Sequence, residues 1–188
     1  MSFKLTTAPA SEPVTLQEAK DHLRIDDTNE DALISELIKA AREYAESAIN
    51  RPLITQTWTY YADCFESVIE LKPNLQSIST VIYIDTDGTQ QTLAATEYAI
   101  STTDMVGTLF EDYDKTWPSI RNIKNAVEVE FVAGYGLAAD VPASITAAML
   151  LLIGHWFVNR EAVIVGVNAN NTPMAVDLLL GPYRVVSF

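Results

Sequence analysis

The sequence predicts an α+β fold, a helical bundle unit built from N- and C-terminal helices with an inserted antiparallel β region. Three observations predict it. Helical spacing runs through residues 32–49. At Pro52 it gives way to alternating, strand-forming residues. A second helical block returns after Gly136. The expected organisation is an N-terminal arm over residues 1–14, a helical domain from 15–52 and 133–181, a β insertion over 53–132, and a C-terminal docking tail over 182–188.

The arm is expected to be extended, because Pro9 and Pro13 stand among small polar residues. Thr15 and Glu18 fit a capping box, which opens a short helix to about Arg24. In the following IDDTNED turn, Thr28 is the expected cap of the next helix, with Glu30 and Asp31 in its positive first turn. Leu33, Ile34, Leu37, Ile38, Ala41, Tyr44, Ala45, Ala48 and Ile49 then mark one apolar face, and the helix ends before Arg51-Pro52.

Thr55, Thr57, Trp58, Thr59, Tyr60 and Tyr61 favour a strand. Further strands are expected at Val68–Leu71, Ile78–Ile84, Gln90–Leu93, Tyr98–Ser101, Gly107–Phe110 and Ala126–Val132, with Asp87-Gly88 as a hairpin turn. Val127, Val129 and Phe131 alternate with Glu128 and Glu130, so that strand has one dry face and one wet face.

Pro142–Val163 reads as a helix apolar on nearly every face, with Thr146 and His155 the only polar side chains between Ile145 and Val158. Such a helix is expected to be buried all round, partly by other subunits. Leu151, Trp156 and Phe157 are the candidate subunit-packing residues, and Leu151→Asp is expected to be costly. The apolar run falls short of the ~20 residues that cross a bilayer. Thr172-Pro173 is expected to start a last short helix stopped by Gly181-Pro182, and the apolar tail YRVVSF to leave it as an extended strand.

The formal net charge is −13. Residues 52–132 carry 12 acids and 4 bases, whereas residues 133–188 carry only 3 acids and 2 bases. That balance argues against gripping nucleic acid, which needs clustered cations. Cys64 is the only cysteine, which excludes an intrachain disulfide and a cysteine-rich zinc site. Asp27, Asn29 and Asp31 begin like a calcium loop, but Ala32 and Ile38 stand where the glycine and the bidentate glutamate belong. Glu128 and Glu130 share a face, as solvated neighbours do, and no second carboxylate can be placed opposite them. No nucleophile elbow, HExxH motif or phosphate loop is present, so no catalytic, metal or cofactor residue is assigned. A ligand- or carbohydrate-binding module on a helical stalk is the alternative, with Trp58, Tyr60 or Trp117 as its aromatic platform.

Several blocks in order carry a further signal: VTLQEAKDHLRID, DALISELIKAAREYAESAINRPLITQTW, TWPSIRNIKNAVEVEFVAGYG, VPASITAAMLLLIGHWFVNREAV and LLLGPYRV. Together they resemble the head–tail connector (adaptor) proteins of long-tailed double-stranded DNA phages, in the longer, β-containing branch. The resemblance implies a structural virion protein without enzymatic step or cofactor. It would form a ring of about a dozen subunits beneath the portal protein, joined below by a tail-completion or stopper protein. DNA would pass through without specific binding. The ring would sit at the head–tail interface of the virion, after assembly in the host cytoplasm, with no membrane involved. Tyr183, Arg184, Val185, Val186 and Phe188 are the expected portal- or neighbour-docking residues.

Overall fold

The computed structural model describes residues 2–159 and 174–185. In chain order the elements are β1 (Ser2–Thr7), α1 (Leu16–Leu23), α2 (Asp31–Ile49), β2 (Gln56–Ala62), β3 (Val68–Pro73), β4 (Leu75–Ile84), β5 (Gln90–Thr92), β6 (Tyr98–Ser101), β7 (Val106–Glu111), β8 (Val127–Ala133), α3 (Ala143–Val158) and α4 (Met174–Leu180). They divide into a β unit, Met1–Ala10 with Thr55–Tyr135, and a helical unit, Ser11–Ile54 with Gly136–Phe188.

In the β unit, a five-stranded sheet has the order β1-β2-β8-β4-β5 and a three-stranded sheet has the order β3-β7-β6. All described pairings between these strands are antiparallel. The central strand β8 buries Val127, Val129, Phe131 and Ala133 completely, while Glu128 and Glu130 are half-buried on the opposite face. Tyr60, Ile69, Leu71, Leu75, Val81 and Leu109 complete that core. Gly107 on β7 lies so close to Leu75 that a Cβ there would overlap the leucine side chain. In the β4–β5 turn, Gly88 has φ +90°. The Asp85 carboxylate accepts the N–H groups of Asp87 (3.0 Å) and Thr89 (2.9 Å) and the Gln91 side-chain amide (2.8 Å). Those donors, Gln91 foremost, hold the Asp85 carboxyl below its ordinary range.

Residues 2–7 are the main departure. They were expected as an extended arm apart from the β insertion, and they form β1 at the edge of the larger sheet, pairing Phe3 with Tyr60 and Leu5 with Trp58. Phe3 meets Tyr60 and Phe131, with ring centroids 5.3 and 6.2 Å apart, and the Lys72 ammonium stands over both Phe3 and Trp58. The run SFKLTT has strand-forming alternation, but only long-range pairing with β2 gives it a place.

In the helical unit, α1 opens on the Thr15 capping box: Thr15 Oγ1 accepts the Glu18 N–H at 3.2 Å and Glu18 Oε2 accepts the Thr15 N–H at 2.8 Å. The expected Thr28 side-chain cap is absent, since Glu30 occupies the cap position of α2 without a side-chain bond. Asp27 instead accepts the Asn29 N–H at 2.9 Å and Asp31 pairs with Lys20 at 2.6 Å, so both carboxylates have local partners. The core joins Ile34, Ile38, Ala41, Ala45 and Ile49 of α2 to Ile145, Ala148, Met149, Leu152 and Ile153 of α3, with Val176 and Leu180 from α4. Leu53 and Ile54 are buried in this unit and not in the β region, because the Leu53 N–H donates to Glu46 Oε1 at 2.9 Å.

Candidate assembly surface

Helix α3 forms because apolar residues with good helical propensity follow Pro142, and it ends at Val158, where Asn159 leaves helical geometry at φ −105°, ψ 73°. Positions 160–163, expected in this helix, and the Thr172 cap lie outside the described residues. The expectation of burial on all sides is corrected within the single chain. One face, 145/148/149/152/153, is buried; the other leaves Leu151 37% and Val158 76% exposed. These two residues stand seven apart, hence on one stripe. The reason is local supply: α1, α2 and α4 are the helices packed on α3, and they cover only part of its circumference. Trp156 and Phe157 are half-buried, and Trp156 meets Tyr44 of α2 edge-on at 6.1 Å. Gly154 faces α1, where a Cβ would sit in ordinary contact, 3.4 Å from His22 Nε2. His155 is half-buried near the helix end, where the Asn159 side-chain amide donates to its carbonyl at 2.9 Å.

Three exposed apolar residues of this unit carried no signal in the sequence: Met174 (79%) and Leu178 (72%) on α4, and Leu137 (72%). Met174 and Leu178 are four apart, opposite the buried Val176 and Leu180. A seven-residue helix is too short for its periodicity to show which face is covered.

The tail departs from expectation. Gly181–Tyr183 form a 3₁₀ turn, and the chain then lies against the end of α2. The Val185 N–H donates to the Ile49 carbonyl at 2.9 Å, and Arg184 Nε donates to the Ala48 carbonyl at 2.9 Å. Val185 is thereby buried in its own helical unit and is removed from the docking residues; the open carbonyls at the C-terminal end of α2 take the tail's donors. Tyr183 is half-buried and Arg184 exposed, while Val186 and Phe188 lie outside the described residues.

Arg42 holds the helical unit at the points where the chain enters and leaves it. Its guanidinium is 6% exposed and bonds Glu12 at 2.7 Å and Glu46 at 2.9 Å. Burial pulls its pKa down, but the two carboxylates outweigh burial and raise it. Glu46 also takes the Leu53 N–H, so one ion cluster pins residue 12, helix α2 and residue 53.

The aromatic platform of the binding-module reading is not assembled. Tyr60 is buried, with burial pushing its phenol up to about 12; Trp58 is half-buried beneath Lys72. Trp117 stacks on Phe65 at 4.6 Å and donates Nε1 to the Glu66 carbonyl at 2.8 Å. Among the described residues no group of three or more His, Cys, Asp or Glu could hold a metal ion, and no helix is long and apolar enough to cross a membrane.

The model of the phage gp6-like head-tail connector protein family matches residues 13–104, just under half of the chain. Over that segment the chain is similar to the head–tail connector family. The likeness in fold extends over the whole chain. It is similar, at 21% identity and TM-score 0.81, to a chain in the neck of an empty GTA particle computed with C6 symmetry, covering 100% of this chain and 97% of that one. The same coverage and identity hold for a chain of the virion of the native gene transfer agent particle (TM-score 0.80) and of its neck computed with C12 symmetry (TM-score 0.78). No curated protein matches the chain.

Proposed function

We propose that this chain is a structural virion protein: one subunit of a head–tail connector ring of about a dozen copies. The ring lies between a portal protein above and a tail-completion or stopper protein below, at the head–tail interface, after assembly in the host cytoplasm. The observation that carries this reading is the connector-family match over residues 13–104 within a fold that aligns along its entire length with a neck subunit. Two features of the chain support it. The helical unit exposes Leu151, Val158, Met174 and Leu178, which suit packing against neighbouring subunits beside Trp156 and Phe157. The net charge of −13 gives DNA no adhesive surface and lets it slide through the ring. Tyr183 and Arg184 are offered to the portal. No catalytic step enters this reading.

The test is the native mass of the purified protein, alone and mixed with its portal protein. A ring of about twelve copies, free or portal-bound, is the expected result. A chain that stays monomeric in both conditions overturns the reading.

A further inference from the structure

We propose that the outer face of the β3-β7-β6 sheet is a docking surface for a basic amphipathic helix of a different protein, seated on the row Val68, Phe110 and Ala99 beside Tyr113. The inference goes beyond the ring reading and does not depend on it.

The row follows from strand register. Phe110 of β7 is opposite Val68 of β3 on one side and Ala99 of β6 on the other. Directly opposed residues share one face of a sheet. The adjacent residues Ile69 and Leu109 are fully buried, so the row looks away from the core. Val68 is 48% exposed, and Phe110 and Ala99 are half-buried. Acids frame this row. Two residues along the strands comes Glu70, exposed, with Thr108 and Ser101. Two residues in the opposite direction come Asp112 and Glu97, joined by the Asp112 N–H and the Glu97 carbonyl at 3.3 Å. Strand spacing makes the apolar row about 10 Å long, and the strand rise sets the two acid-bearing rows about 14 Å apart.

Tyr113 stands at the same end of β7 and is 94% exposed. The turn that carries it is braced. The Asp112 carbonyl accepts the Lys115 N–H at 3.0 Å, and Glu111 Oε1 accepts the Trp117 N–H at 2.7 Å. The Lys115 ammonium pairs with Glu97 at 3.0 Å, and Asp114 takes the left-handed φ of +58° that closes the turn. A ring held out in this way is placed in advance as an anchor, because tyrosine buries much area on contact and loses little side-chain freedom.

Charge and dimension select the occupant. Asp112 and Asp114 flank Tyr113, and Lys115 is already paired with Glu97. A second copy would set acids against acids, since residues 52–132 hold 12 acids and 4 bases. Nucleic acid is disfavoured by the same sign. A helix about 10 Å across matches the frame: its apolar stripe covers Val68 and Phe110, and lysine or arginine side chains on both flanks reach the acids on either side.

The probe is a synthetic peptide of leucine and lysine, about 18 residues long, with its leucines at helical spacing. It is titrated against the full chain at physiological salt and followed by fluorescence anisotropy. One control peptide has the same composition with the leucines scrambled; another keeps the pattern with glutamate for lysine. The patterned lysine peptide should bind at least about tenfold more tightly than either control. Val68→Lys and Tyr113→Ser, both at exposed positions, should each weaken that binding about fivefold or more at an unchanged melting temperature. Ile123→Lys, exposed elsewhere in the β unit, should leave it unchanged. Equal binding of the scrambled peptide, or an equal loss with Ile123→Lys, overturns the proposal. In assembled particles, p-benzoylphenylalanine in place of Tyr113 should photo-cross-link to a lysine- or arginine-bearing helix of another virion protein. A cross-link to a second copy of this chain, or none, overturns it. Native mass of the same preparations reports on the ring separately, so either reading can fail alone.

Discussion

The β unit and the helical unit solve the same problem to different degrees. In the β unit, the core is closed inside one chain: Phe131, Val129 and Tyr60 are enclosed by the two sheets, and the apolar residues left exposed, such as Phe3, Val68, Ile100 and Met105, are spread over different strands and turns. In the helical unit, α3 is apolar around its circumference, yet its own chain covers only one side. Residues 133–188 offer only five charged side chains to separate the remaining apolar surface from water. The lesson is that a buried face and an unused apolar face can belong to one helix. The second face suits the proposed assembly, because exposed apolar patches of this kind ordinarily mark contact surfaces.

The largest effect that would break this contrast is in the β core. Phe131→Ala should cost about 3–5 kcal/mol, since it empties a completely buried position on the central strand. Chemical denaturation followed by tryptophan fluorescence reads it; a loss below about 1 kcal/mol would show that the sheets do not enclose a tight core. Gly107→Ala comes next. Its Cβ would overlap Leu75, and the repacking should cost about 1–3 kcal/mol in the same assay.

Smaller effects sharpen the helical side. Thr15→Ala removes the side-chain half of the capping box, leaving the backbone N–H of residue 15 to bond Glu18, and should cost about 0.5–2 kcal/mol. Hydrogen bonds from the Thr15 N–H and then its hydroxyl hold the Glu18 carboxyl below its ordinary value. A depressed folded-state pKa gives a stability contribution that is present above the unfolded value, about 4.3, and is lost as pH falls through the lower folded value. The difference between wild type and Glu18→Ala in thermal melts should therefore shrink as the pH is lowered from neutral through this range. Unchanged separation would show that Glu18 does not close the box in solution.

Leu151→Asp is expected to move monomer stability by only about 0.5 kcal/mol while abolishing ring assembly, measured by native mass. A large drop in melting temperature of the monomer would return Leu151 to the core and erase the contrast between the two faces of α3. At the end of the scale, duplex DNA should bind more weakly than about 1 μM at physiological salt. Tight, steeply salt-dependent binding would contradict the proposed free passage of DNA.

Much of this was legible before any coordinates. The capping box at Thr15, the long α2 periodicity, the strand at 98–101 and the alternation of Val127, Val129 and Phe131 are local signals, each written within a few residues. The switch at Pro52 was legible for the same reason. Other features were not. SFKLTT looks like an arm until β2 is beside it, and Val185 looks free until the end of α2 offers its carbonyls. Thr28 looked like a cap, but cap choice depends on where the turn places its first helical N–H, and α2 begins two residues later than side-chain chemistry alone suggests.

By itself, then, the sequence determined the kinds of element, their order, the absence of cysteine cross-links within the chain and the acidic balance, because propensity, periodicity and charge are local or additive properties. Tertiary structure alone decided which strands lie at edges, which face of α3 is spent within the subunit and where the tail rests. Those outcomes depend on contacts between residues distant in the chain, such as Phe3 with Tyr60 or Val185 with Ile49, and no window of the sequence contains both partners.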